Sequence, residues 1–116
     1  MMTTNSLKAE KILKFGEKEY KARIVLDTVK RIEEHFEKSI FKIGTLLTTG
    51  DMMTKDVEMF LTIVIRAGGN DINQSDIERH INNNDINLVD AMKYVGEMLG
   101  LALSTDSNNT EKKSNS

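Results

Sequence analysis

The sequence predicts an α+β domain, mostly α, in which an N-terminal β-hairpin is followed by four or five helices. Three observations carry this prediction. Between Lys11 and Leu26 polar and apolar residues alternate with period two, the pattern of half-buried strands. Beyond Asp27 apolar residues recur at helical spacing, in stripes separated by stops rich in Gly, Asn and Asp. No proline occurs in the 116 residues, so helices run without a forced break and the turns fall to Gly, Asn and Asp.

The elements follow in order. Residues 1–6 are polar and are expected to fray. Ile12 and Lys14, then Tyr20, Ala22 and Ile24 set against Glu19, Lys21 and Arg23, place strands at 8–15 and 19–25. Gly16 between them can take the positive φ of a tight turn. A lone hairpin is marginal in water, so it must pack on helices or pair with another chain. Asp27 is a plausible N-cap for a first helix striped by Val29, Ile32 and Phe36. A break at Lys38-Ser39 leads to a second helix with Ile40, Phe41, Ile43, Leu46 and Leu47, ended by Gly50 as a C′ residue. Thr54 caps a third helix whose Val57, Phe60, Leu61, Ile63, Val64 and Ile65 cover most of its circumference, making it the central one. It stops at Gly68-Gly69. Asn73, with Asp76 three residues on, opens a fourth helix from Gln74 to about Ile81. Asn87 caps a last helix with Leu88, Met92, Val95, Leu99 and Leu103 on one stripe. Residues 7–103 thus form one globular domain, and 104–116, without an apolar residue to pack, are expected to be disordered.

Composition narrows the chemistry. Sixteen basic against eighteen acidic residues give a formal net charge of −2, without the basic surplus through which duplex-DNA binders release counterions. Cysteine is absent, which excludes disulfides, thiolate chemistry and cysteine zinc sites. The longest apolar run, Met59 to Ile65, falls short of a membrane span, and the first residues hold no apolar run of signal-peptide length, so a cytosolic protein is expected.

No Ser or Cys nucleophile lies in a motif with His35 or His80, and no enzyme activity is expected. The stretch Asn70 to Asp76 is oxygen-rich and superficially like a calcium loop. It lacks both the glycine at the sixth position and the closing Glu, so turn and cap chemistry explains it and no metal or cofactor is expected. Residues 54–81 also read as two helices joined by a Gly-containing turn, but Asp76 and Glu78 against Arg79 do not suit a recognition helix facing phosphates. Methionine is the most suggestive feature. Met52, Met53, Met59, Met92 and Met98 occur in a chain with no Trp, and flexible methionine is over-used where a surface accepts varied apolar partners. Gap-filling in a small core is the competing account, weakest for Met52 and Met53. Gly96 and Gly100, four apart on the last helix, suggest close approach of another helix, from within the fold or from a partner chain.

The succession of a hairpin with a tight turn (Lys14-Phe15-Gly16-Glu17-Lys18-Glu19-Tyr20), an acidic-faced helix (Val29 to Glu34), Ile43-Gly44-Thr45-Leu46-Leu47 with Gly50-Asp51, an apolar helix ending in Ile65-Arg66-Ala67-Gly68-Gly69 and a closing amphipathic helix resembles the small tail assembly chaperones of long-tailed phages and gene transfer agents. The resemblance spans about residues 11–103 and rests on order, spacing and length. It implies a phage or prophage protein of the host cytoplasm that coats the tape measure protein and helps tail tube subunits polymerise around it. It carries no catalytic motif. The chain departs from the pattern at Glu37-Lys38, where a glycine is expected, and in the Asn-rich segment 82–87.

The expected function is therefore tail assembly chaperoning, with the tape measure protein and the tail tube protein as partners and a homo-oligomer possible through the hairpin edge. The candidate partner-binding residues are Met52, Met53, Phe60, Met92 and Met98. A structural tail tube or connector subunit is the first alternative, and a small DNA-binding regulator the second.

Overall fold

The structure, a computed structural model, describes residues 9–115, with side chains through Leu103. Strands β1 (Glu10–Phe15) and β2 (Lys18–Arg23) precede helices α1 (Leu26–Phe36), α2 (Ile40–Thr48), α3 (Thr54–Ala67), α4 (Gln74–Asn82) and α5 (Leu88–Asn115). This is the small α+β domain that the sequence predicts. The expectation for residues 1–6 lies outside the described residues, and that for 104–116 outside the described side chains.

β1 and β2 pair antiparallel from Glu10↔Arg23 to Phe15↔Lys18, closed by Gly16 at φ +67°. Pairing with β2 decides which face of β1 turns inward. Pairing sets Leu13 opposite Tyr20 and Lys11 opposite Ala22, so Leu13 shares the face of Tyr20 and Ala22. Leu13 and Phe15 are fully buried, while Ile12 points outward, half exposed. Side chains alternate with period two, so only the register with β2 decides which set turns inward. β2 ends earlier than expected. The Ile24 N–H closes the ladder on the Ala9 carbonyl at 2.9 Å, and Val25 then turns into α1.

α3 is the central helix. It packs on β2, α5, α4 and α1, and buries Val57, Phe60, Leu61, Thr62, Val64 and Ile65. The buried Thr62 hydroxyl is satisfied by donating to the Glu58 carbonyl at 2.8 Å. Burying each large apolar side chain contributes about 1.5–3 kcal/mol, so this helix holds much of the core energy. α2 packs on α5 and α1. Gly96 serves that contact, since a Cβ there would stand 3.4 Å from the Leu47 Cδ2, whereas Gly100 has open space.

The helix starts test the expected caps. Asn87 caps α5 by accepting from the Asp90 N–H at 2.7 Å, and at α4 the Asp76 carboxylate accepts from the Asn73 N–H at 2.9 Å. Ser39 caps α2 through the Lys42 N–H at 3.1 Å. Two expected caps are displaced. Val25, not Asp27, stands at the start of α1; Asp27 lies inside the first turn and pairs with Arg31 at 3.2 Å. Met53, not Thr54, stands at the start of α3, with extended backbone and no side-chain cap bond. In both cases the supposed cap already has helical backbone, and the extended residue before it is apolar.

α1 ends on Glu37 with φ +55°, the left-handed conformation that L-residues other than Asn rarely adopt. This is the position where the resemblance leads one to expect glycine. Glu37→Gly is expected to raise stability by about 0.5–1 kcal/mol. The check is a higher urea midpoint at unchanged slope.

Candidate functional site

An apolar groove and a hydrogen-bonded chain each bring chemistry-bearing side chains together. The first is an apolar groove of about 200 Å³ where the end of α1, α2 and the start of α3 meet. Phe36, Ile43, Leu46, Met52 and Met53 supply its apolar lining, and Lys38, Asp51 and Asp56 its polar lining. The local fold explains the arrangement. α2 ends in a Schellman turn, with the Asp51 N–H on the Leu46 carbonyl at 2.8 Å and the Gly50 N–H on the Leu47 carbonyl at 3.2 Å. That turn sends the chain back across α2 and delivers Met52 and Met53 in succession. Extended residues point opposite ways, so Met52 enters the core at 8% exposure and Met53 stays out at 69%.

Of the five candidate partner-binding residues, the groove unites these two. Phe60 and Met98 are fully buried in the core, and Met92 is half-buried on α5. Phe60 lies on the crowded face of α3, and Met98 fills space on the inner face of α5. In this conformation neither presents surface to a partner.

The second feature is a hydrogen-bonded chain that the sequence did not reveal. The Tyr20 hydroxyl lies 2.8 Å from His80 Nε2, and His80 Nδ1 lies 2.8 Å from Asp85 Oδ2. A carboxylate only accepts, so Nδ1 carries the proton given to Asp85 and, in the neutral imidazole, Nε2 accepts from Tyr20. Phe15 packs on both rings, at centroid distances of 5.5 Å to Tyr20 and 5.1 Å to His80. Tyr94 adds a fastener by accepting from the Lys14 N–H at 3.0 Å and donating to the Lys14 carbonyl at 3.1 Å. The partners come from both strands, α4, the loop after α4, and α5. Their bonds tie the hairpin to the helices, the support that a two-stranded sheet requires.

Burial, followed by the negative charge of Asp76, raises the Tyr20 pKa. The folded state therefore holds the phenol proton more tightly than the unfolded chain. The resulting stability is fully present below about pH 10 and is lost as pH rises through the folded value. Tyr20→Phe is expected to cost about 1 kcal/mol at neutral pH, through the lost bond to His80. Above about pH 10 the gap between variant and wild type should narrow. Urea melts across the alkaline range read this directly.

At Asp76 the backbone bond from Asn73, followed by the Arg79 guanidinium, lowers the carboxyl pKa, so the cap of α4 holds until acid pH. The oxygen-rich stretch before α4 is engaged in turn and cap bonds. Asn70 Nδ2 donates to the Lys21 carbonyl at 2.8 Å and to the Ile65 carbonyl at 3.0 Å. Among the described residues no group of three or more His, Asp or Glu is placed to hold a metal ion, and no helix is long and apolar enough to cross a membrane.

Comparison with family models, curated proteins and solved structures finds no match to this chain.

Proposed function

We propose that this chain is a phage tail assembly chaperone, and that the Met52–Met53 groove takes an apolar helical segment of the tape measure protein. The observation that carries the reading is Met53 itself. It occupies an N-cap position, where Ser, Thr, Asn or Asp would stabilise the helix by about 1 kcal/mol. It also leaves a flexible apolar side chain 69% exposed at the mouth of a groove lined by Phe36, Ile43 and Leu46. Folding alone gains nothing from methionine there. Binding does, because an adaptable thioether accommodates the varied apolar stripes of a long helical partner. A tape measure protein offers such stripes, and the order of elements on which the resemblance rests points to the same partner.

The test is co-expression of the full chain with the tape measure protein of its own phage, followed by solubility and co-purification assays. Wild type is expected to keep the tape measure protein soluble. Met53→Asp supplies a cap, so it should melt about 1 kcal/mol more stably while losing capture. That opposite pair of effects separates binding from folding. Capture by Met53→Asp equal to wild type would remove the groove from the mechanism. Absence of any capture, with the chain instead present in purified tails, would favour a structural tail tube or connector subunit.

A further inference from the structure

We propose that a second groove, at the other end of α3 from Met53, binds carboxylates of an acidic segment on a partner protein. The groove measures about 380 Å³ and lies where the end of β2, the start of α1 and the end of α3 converge. Three arginines from three elements line it: Arg23, Arg31 and Arg66. Two of them, Arg66 and Arg31, are held through Nε. Arg66 Nε donates to the Ile72 carbonyl at 2.6 Å, Arg31 Nε pairs with Asp27 at 3.2 Å, and Arg23 Nε stands 3.9 Å from Glu10. The contacts of Arg66 and Arg31 run through Nε and not through the terminal Nη nitrogens. Anchoring a guanidinium by Nε fixes its plane and leaves the Nη edge, the side that grips a carboxylate with two parallel bonds.

Three further observations mark the groove as a place for an anion. Arg23 Nε is buried with no hydrogen-bond partner, because Glu10 is too distant for one. Charge at that corner is thus only loosely compensated. Thr28 lines the groove at 2% exposure, and its hydroxyl accepts from the Val25 N–H at 3.3 Å. Its own proton has no acceptor among the described residues. Finally, Val25, Asp27 and Thr28 place the N-terminus of α1 in the wall, where the helix dipole favours negative charge.

The chemistry selects carboxylates over a phosphate backbone. Asp27 already stands in the wall, and the chain carries a net charge of −2, both unfavourable to a polyanion of high linear charge density. Asp or Glu side chains spaced along a segment can engage the guanidinium groups one by one. Carboxylate binding by these arginines does not depend on capture of an apolar helix at Met53.

The experiment titrates the full chain with a short oligoglutamate peptide at low salt, followed by NMR shift mapping, with inorganic phosphate and a single-stranded DNA oligonucleotide as competing probes. Arg31 is well exposed, so Arg31→Glu should leave the fold intact. The expected result is saturable oligoglutamate binding that shifts the Thr28 and Arg66 signals and weakens about tenfold or more in Arg31→Glu. Lys93→Glu on α5 makes the same charge change away from the groove and should leave binding within about twofold. Equal weakening by Lys93→Glu, or no binding at low salt, would overturn the proposal. Tighter Arg31-dependent binding of the oligonucleotide or of phosphate would overturn the carboxylate assignment.

Discussion

Gly68→Ala is expected to lower the stability of this domain by about 3 kcal/mol or more, although the added group is one methyl. The backbone of Gly68 is ordinary, at φ −79° and ψ −1°, so no conformational strain is involved. The obstacle is β2. A Cβ at this position would lie 1.9 Å from the Lys21 carbonyl oxygen and 2.6 Å from its carbon, with the Ala22 Cα at 3.2 Å. Both sides of the contact are backbone, so no side-chain rotation relieves it. Strand and helix must separate, which disturbs the burial of Ala22 and the bond from Asn70 to the same carbonyl. A thermal melt should show a midpoint lower by roughly 12 °C or more. Gly44→Ala is the matched contrast. A Cβ there meets nothing within 4 Å, so alanine in the interior of α2 should stabilise by up to about 1 kcal/mol. Equal midpoints for the two variants would refute the close approach of α3 to β2.

Phe60→Ala is expected to cost about 3–5 kcal/mol. Phe60 has no exposed surface and sits in the middle of the helix that touches most of the fold. Truncation leaves a cavity that backbone held on several sides closes only in part. A conservative variant decides what Phe60 does. Loss of tape measure capture by Phe60→Ala alone would be uninformative, since an unfolded chain captures nothing specifically. Phe60→Leu fills most of the volume and should cost about 1 kcal/mol, with capture retained. Lost capture with a preserved melt would return Phe60 to the partner surface.

Most of the architecture could be read from the sequence because its signals are local. Alternation marks the strands, the Gly, Asn and Asp clusters mark the stops, and Asn73 and Asn87 are polar caps immediately before helical stripes. What escaped reading depends on distant partners. β1 offers two apolar sets, Ile12 on one face and Leu13 with Phe15 on the other, and only pairing with β2 chooses between them. α1 and α3 start one or two residues before the expected caps, because a good capping residue stands just inside each helix while apolar Val25 and Met53 hold the cap positions. The candidate site divides in the same way. Adjacent Met52 and Met53 lie together by chain connectivity. The burial of Phe60 and Met98 follows from which helices close over them, and composition does not encode that. Tyr20 and His80 are 60 residues apart, and the groove arginines come from three elements.

The bond from Asn70 to the Lys21 carbonyl spans 49 residues, and this has a consequence on the ribosome. The hairpin emerges before the end of α3 and forms within microseconds, but alone it is only marginally stable. Its complement, the end of α3, is still unmade. At about 5–20 residues per second the nascent chain waits roughly 2–10 s for Asn70 to follow Lys21. During that interval Leu13, Phe15 and Ala22 face water beside unpaired strand edges. A protein whose proposed task is to shield another chain's apolar surface thus passes through a brief stage in which its own hairpin needs shielding.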